Sequence, residues 1–125
     1  MEGPETDRRS RASRGGALSF LGLAGRAGAV ALGTERAREA LRRGDARLVL
    51  VARDAAAGQT AKVERLAEAR GVPLRWCGER WELGGALGQG PLSAVAVLED
   101  DFAQELERRL PSANAKGAGG SNVGR

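Results

Sequence analysis

The stretch Leu48-Val49-Leu50-Val51-Ala52-Arg53-Asp54 holds five consecutive apolar residues and then stops on a charged pair. A run this short and this rich in Leu and Val reads as a strand covered on both faces, because a half-exposed strand alternates polar and apolar side chains. Covering both faces takes helices on either side, which makes the fold a three-layer one. The charged pair then marks the carboxyl end of the strand, where open α/β sheets hold their ligands. Asp54 at that end could orient a base or a partner side chain, or serve as a turn or helix cap for the residues that follow.

Working outward, Gly58-Gln59-Thr60 opens a helix that turns Val63, Leu66 and Ala67 inward, and Gly71 with Pro73 closes it before the strand Leu74-Arg75-Trp76. A strand, helix and strand of these lengths favour a parallel, right-handed crossover. A short helix begins near Arg80 and includes Leu83 and Leu87, and its segment Glu82-Leu83-Gly84-Gly85-Ala86-Leu87-Gly88 has the glycines for close approach to another backbone. Residues 93–98 read as the last strand, and Asp100 and Asp101 are expected to cap a final helix that buries Phe102, Leu106 and Leu110.

On the other side, a helix over about residues 17–26 turns Leu18, Leu21 and Leu23 inward and ends at Gly28, and residues 29–32 form a short strand. Gly33 or Thr34 then N-caps a helix that buries Ala37, Ala40 and Leu41, exposes Glu35, Arg36, Arg38, Glu39, Arg42 and Arg43, and stops at Gly44. The predicted fold class is α/β, a three-layer α/β/α sandwich around a four-stranded mixed sheet.

A chain of 125 residues that is 42% hydrophobic can bury one core. The expected organisation is one domain over residues 17–110, with a basic tail at 1–16 and a second tail at 111–125, both disordered for want of apolar periodicity. Aromatic residues are only 3% of the chain, so Trp76, Trp81, Phe20 and Phe102 must carry the large volumes, and methylene packing should hold the core. A single cysteine and no histidine exclude an internal disulfide, a structural zinc site and His-based catalysis, and Cys77 reads as a small buried hydrophobe.

No carboxylate sits with a nucleophile or base in a recognisable catalytic constellation, and the glycines of residues 22–28 lack nucleotide-loop spacing. The expectation is a non-enzymatic protein without cofactor or metal. The apolar run at residues 17–24 is too short to span a membrane, and acids at Glu2, Glu5 and Asp7 argue against a secretory leader, so a cytoplasmic protein is expected.

The formal net charge of +4 is unevenly spread. Residues 17–53 carry seven Arg against three acids, whereas residues 99–107 carry five acids and no base. Such polarity suggests a positive face for phosphates and a negative face turned away. The helix that starts at Gly33-Thr34 adds free N–H groups and a favourable dipole to its basic flank.

In their order along the chain, Leu21 to Ala24, Arg26 to Gly28, Gly33-Thr34, residues 48–55, Val72-Pro73, residues 82–88 and Asp101-Phe102-Ala103 resemble the ribosomal L-seven-Ae/L-thirty-e superfamily of kink-turn RNA-binding proteins, most closely its small bacterial YlxQ-like branch. The resemblance runs from about residue 18 to residue 110 and implies the same α/β/α sandwich. It also implies that the helix after Gly-Thr enters the widened groove at an RNA kink, while the loop after the third strand covers a flipped base. Carried over to this chain, those positions are Gly33, Thr34, Glu35, Arg36 and Glu39, with Cys77, Gly78 and Glu79 as the loop and Arg26, Arg53 and Asp54 nearby. The chain departs from the family pattern in having Glu35-Arg36 and Glu39 where the strongest kink-turn binders have Asn-Glu and a basic residue, and Ala29 where a Lys is common in the bacterial branch.

The functional expectation is therefore a monomeric protein that binds structured RNA, kink-turn-like or ribosomal, in connection with the ribosome or translation, with ribosomal or RNA-processing proteins as further partners. Two alternatives share the fold: a protein-interaction or assembly module, and a substrate-recognition module for a partner RNA methyltransferase. Removing residues 1–15 and 111–125 is expected to leave the melting temperature nearly unchanged in a thermal scan, and a large drop on trimming would contradict the single-domain reading.

Overall fold

The computed structural model describes residues 16–110, so the expected tails lie outside the described residues except for Gly16, which opens the first helix. Nine elements follow in order: α1 (residues 16–26), β1 (Val30–Leu32), α2 (Thr34–Arg43), β2 (Leu48–Val51), α3 (Ala57–Arg70), β3 (Leu74–Trp76), α4 (Arg80–Ala86), β4 (Ala94–Val97) and α5 (Asp100–Arg109). The strands form one sheet in the order β1-β4-β2-β3. β2 and β3 run parallel, with Val51 opposite Trp76, and β4 is antiparallel to both β1 and β2.

β2 is wholly buried, as its unbroken apolar run requires. Leu48 and Leu50 point into a core layer shared with α1, α4 and α5, where they meet Leu21, Leu83 and Leu106. Val49 and Val51 point the other way, into a layer shared with α2 and α3. That second layer is built of small residues, with Ala37, Ala40, Ala67, Ala94 and Ala96 around Leu41 and Val63, so both helices lie close on the sheet. The sheet is mixed, and with helices on both faces the architecture is the expected α/β/α sandwich.

Several local expectations are corrected. Leu23 does not face inward; it is 47% exposed, and Ala17, Leu21 and Ala24 form the buried stripe of α1. The largest fully buried side chains are Leu and Val, whereas Phe20 and Phe102 pack at the core margin with ring centroids 5.5 Å apart and Trp81 is 65% exposed. Glu99, not an aspartate, occupies the N-cap of α5. Asp100 and Asp101 lie in its first turn, where their charge favours the helix dipole.

The acidic segment 99–107 is not an unbalanced negative face. Asp100 pairs with Arg47 at 3.6 Å and Glu107 with Arg75 at 2.7 Å. Glu105 pairs with Arg109 at 2.8 Å and Arg108 at 3.1 Å, and the hydrogen bond from Arg109 holds the Glu105 carboxyl below its ordinary pKa. Arg109 also lies over the Phe20 ring at 4.7 Å and donates to the Gly16 carbonyl, which ties the end of α5 to the start of α1.

α4 is locked in place by backbone contact. A Cβ on Gly84 would overlap the carbonyl group of Gly90, in the loop that leads into β4, whereas a Cβ on Gly85 meets nothing within 4 Å. Gly84→Ala is expected to destabilise the domain by about 1–3 kcal/mol or more, since backbone must move to admit the methyl group. Gly85→Ala should be neutral or stabilising by up to about 1 kcal/mol. Urea denaturation of the two variants checks the contrast.

Candidate nucleic-acid interface

Strand directions bring the singled-out residues to one edge of the sheet. β1, β2 and β3 end there, and β4, being antiparallel, begins there. Gly33-Thr34, Arg53-Asp54 and Gly78-Glu79 therefore emerge side by side with the loop before Ala94. Given a strand spacing of about 4.8 Å, Gly33 and Arg53 stand two strands, or about 10 Å, apart.

Hydrogen bonds continue past the strand ends and tie the four segments together. Gly33 N–H donates to the Ala94 carbonyl at 2.9 Å, and Ala52 N–H to Ser93 at 2.9 Å. Arg53 N–H donates to Gly78 at 2.8 Å, and Cys77 N–H to Val51 at 2.9 Å. The edge is thus a set of loops fixed by the sheet's own hydrogen-bond pattern.

At the start of α2 the N-cap is Gly33, with φ 93°, a left-handed conformation that strains any other residue. No side chain caps this helix. The first-turn N–H groups of Thr34, Glu35 and Arg36 have no intrahelical acceptor and are oriented outward at the sheet edge. The buried face of α2 is the expected one, Ala37, Ala40 and Leu41, and Gly44 ends it.

Not every residue assigned to the interface is free to meet a partner. The thiol of Cys77 is buried in the core, and Gly78 is buried as well, so of that loop only Glu79 offers a side chain to solvent. The Glu79 carboxylate is engaged in turn, in a reciprocal capping box with Glu82 at the start of α4 and as acceptor from the Trp81 indole at 3.2 Å. Asp54 caps α4 and not the turn that follows it: its Oδ1 accepts from Arg80 N–H at 2.8 Å, and its Oδ2 lies 3.5 Å from Arg80 Nε.

Glu39, one turn into α2, pairs with Arg43 at 3.2 Å. Glu35, Arg36 and Glu39 line one groove together with Ala31, Ala40, Arg43, Asp45 and Leu98, on the outer flank beside β1. Arg26 lies off the edge proper, in a groove between α1 and α4 that also reaches Leu32, Gly88 and Gln89. Gly22 and Gly25 let α1 approach Ala86 and Leu87 closely, which a Cβ at either position would crowd.

Sequence reasoning missed the loop of residues 88–93, which the antiparallel β4 returns to the edge between β1 and β2. The turn signal Gly88-Gln89-Gly90-Pro91 was visible, but its position depended on the direction of β4. It also missed Trp81, exposed in the first turn of α4 beside Arg26 in a groove lined by Leu18 and Gly85. Among the described residues no group of three potential metal ligands occurs.

An α/β/α sandwich that gathers an uncapped helix start, arginines and interlocked loops at one sheet edge is built as a binding domain. The chain belongs to the ribosomal protein L7Ae/L30e/S12e/Gadd45 family, whose model matches residues 17–107, a family of ribosomal-type, RNA-binding proteins. It is 32% identical over 100 residues to the large ribosomal subunit protein eL8 of Cenarchaeum symbiosum, a match that covers 79% of each chain. Its structure is similar to that of a protein of unknown function from Bacillus halodurans, with a TM-score of 0.71, 29% identity, and coverage of 74% of this chain and 94% of that one.

Asp54→Ala should lower stability by about 1 kcal/mol, the usual loss on removing a helix-capping side chain. An unchanged denaturation midpoint would mean that α4 does not depend on this cap.

Proposed function

We propose that this protein is a non-enzymatic RNA-binding protein that grips structured RNA, kink-turn-like or ribosomal, across the carboxyl edge of its sheet. The observation that carries the reading is the convergence of Gly33-Thr34, Arg53 and the 88–93 loop on that edge, fixed by backbone hydrogen bonds. A folded RNA offers such a surface both a phosphate path and unstacked bases.

The chemistry divides between the groups. The open N–H groups of α2 suit anionic or carbonyl oxygens, and the Glu35 carboxylate in the same turn can only accept, from donors such as base amino groups or ribose hydroxyls. An acid here disfavours a phosphate at the helix start, so α2 meets base edges while Arg36 and Arg53 meet phosphates. Glu39 is paired with Arg43, which offsets part of the penalty that a second acid would impose. On the flank, exposed Trp81 offers a ring face on which a splayed base can stack, with Arg26 in the same groove for its phosphate. A protein that works this way acts in the cytoplasm on ribosomal or other structured RNA.

Arg36→Ala and Arg53→Ala are each expected to weaken binding to a kink-turn hairpin by roughly 1 kcal/mol or more, with a shallower dependence of affinity on salt. Arg109→Ala should leave RNA affinity unchanged while lowering the melting temperature, because it removes the contacts to Glu105, Phe20 and Gly16. Equal losses of affinity at all three positions would point to diffuse charge and overturn the reading.

A further inference from the structure

The two flanks of α2 are chemically different. Glu35 and Glu39 accompany Arg36 and Arg43 on the β1 side, whereas Arg38 and Arg42, one turn apart, face α3. Across from them α3 presents Lys62 and Arg65. The four cations line a groove of about 470 Å³ whose remaining lining is Leu66 and Ala69. No carboxylate of the described residues makes an ion pair with any of the four, although Arg43, Arg47, Arg75, Arg80, Arg108 and Arg109 all have such partners.

We propose that this groove carries a run of RNA phosphates, as a second contact strip beyond the sheet edge. Four like charges held together without acids raise the local potential, which selects a polyanion and screens with salt. They stand in two rows on packed helices whose axes lie about 8–10 Å apart, a spread that fits a chain of anions and not one small ion. Three of the four are arginines, whose planar forks bind phosphate oxygens in pairs. The apolar lining is two modest side chains with no aromatic ring, so the groove takes backbone and has no platform for a base.

Its place next to the edge fits the same ligand. α2 starts at the edge and is about 15 Å long, so an RNA seated on Gly33-Thr34 that continues over the helix reaches Arg38 and Arg42 within a few nucleotides. The inference rests on the preceding proposal for where the RNA is seated, while its four cations take no part in that proposal.

The test uses the full chain, its Arg42→Ala/Arg65→Ala variant and its Arg36→Ala/Arg53→Ala variant, with purified ribosomal RNA and poly-L-glutamate as probes over a range of salt. Arg42 and Arg65 are exposed, so the groove variant should melt like the wild type. Losing two phosphate contacts should reduce the slope of log affinity against log salt by about 1.4–1.8 and weaken RNA binding about tenfold or more near 0.1 M salt. An unchanged slope overturns the proposal. So does poly-L-glutamate that binds as tightly as RNA and is lost in the same variant, which would mark an acidic protein as the partner. If the edge variant keeps full affinity while the groove variant loses it, the sheet-edge reading fails and the groove stands; the reverse result removes the groove alone.

Discussion

The structure depends on the hydrogen bonding of β2 being completed after the strand has ended. A backbone buried on both faces cannot leave its amides to water, so the chain beyond Val51 must find protein partners. It finds them in the two segments beside it: Ala52 donates to Ser93 and Arg53 to Gly78. Three loops that would otherwise move independently are thereby joined. For a binding domain the consequence is preorganisation, since groups already held in place lose little entropy when a partner arrives.

α4 is the second member of that arrangement. It is only seven residues long, too short to be stable by itself, and it is held at both ends by tertiary contacts. Asp54 reaches from the neighbouring loop to its first N–H, and Gly84 lets it press against the backbone of Gly90. Charged residues that a sequence motif offers to a partner, Asp54 and Glu79 above all, are used inside the domain.

Electrostatics follow the same economy. The acids of residues 99–107 and the arginines near them largely neutralise one another, so the charge available for a polyanion is concentrated elsewhere. It lies along the α2–α3 groove, whose lining holds four cations and no acid. Helix geometry is responsible: residues 38 and 42 share one face of α2, while residues 35, 36, 39 and 43 turn toward the other flank.

The amino-acid sequence determined the layers. Five apolar residues from Leu48 to Ala52 require two covered faces, the period of Ala37, Ala40 and Leu41 orients α2, and the glycines after α2 and α3 end those helices. Those are short-range matters of side-chain polarity and backbone freedom, and they are legible one segment at a time. Which residues meet was decided only by the tertiary structure. The antiparallel direction of β4 returns the 88–93 loop to the edge, and the packing of α3 beside α2 sets Lys62 and Arg65 opposite Arg38 and Arg42. Strand direction and helix pairing are set by the shared core, a property of contacts between segments distant in sequence, so no single stretch of the chain contains them.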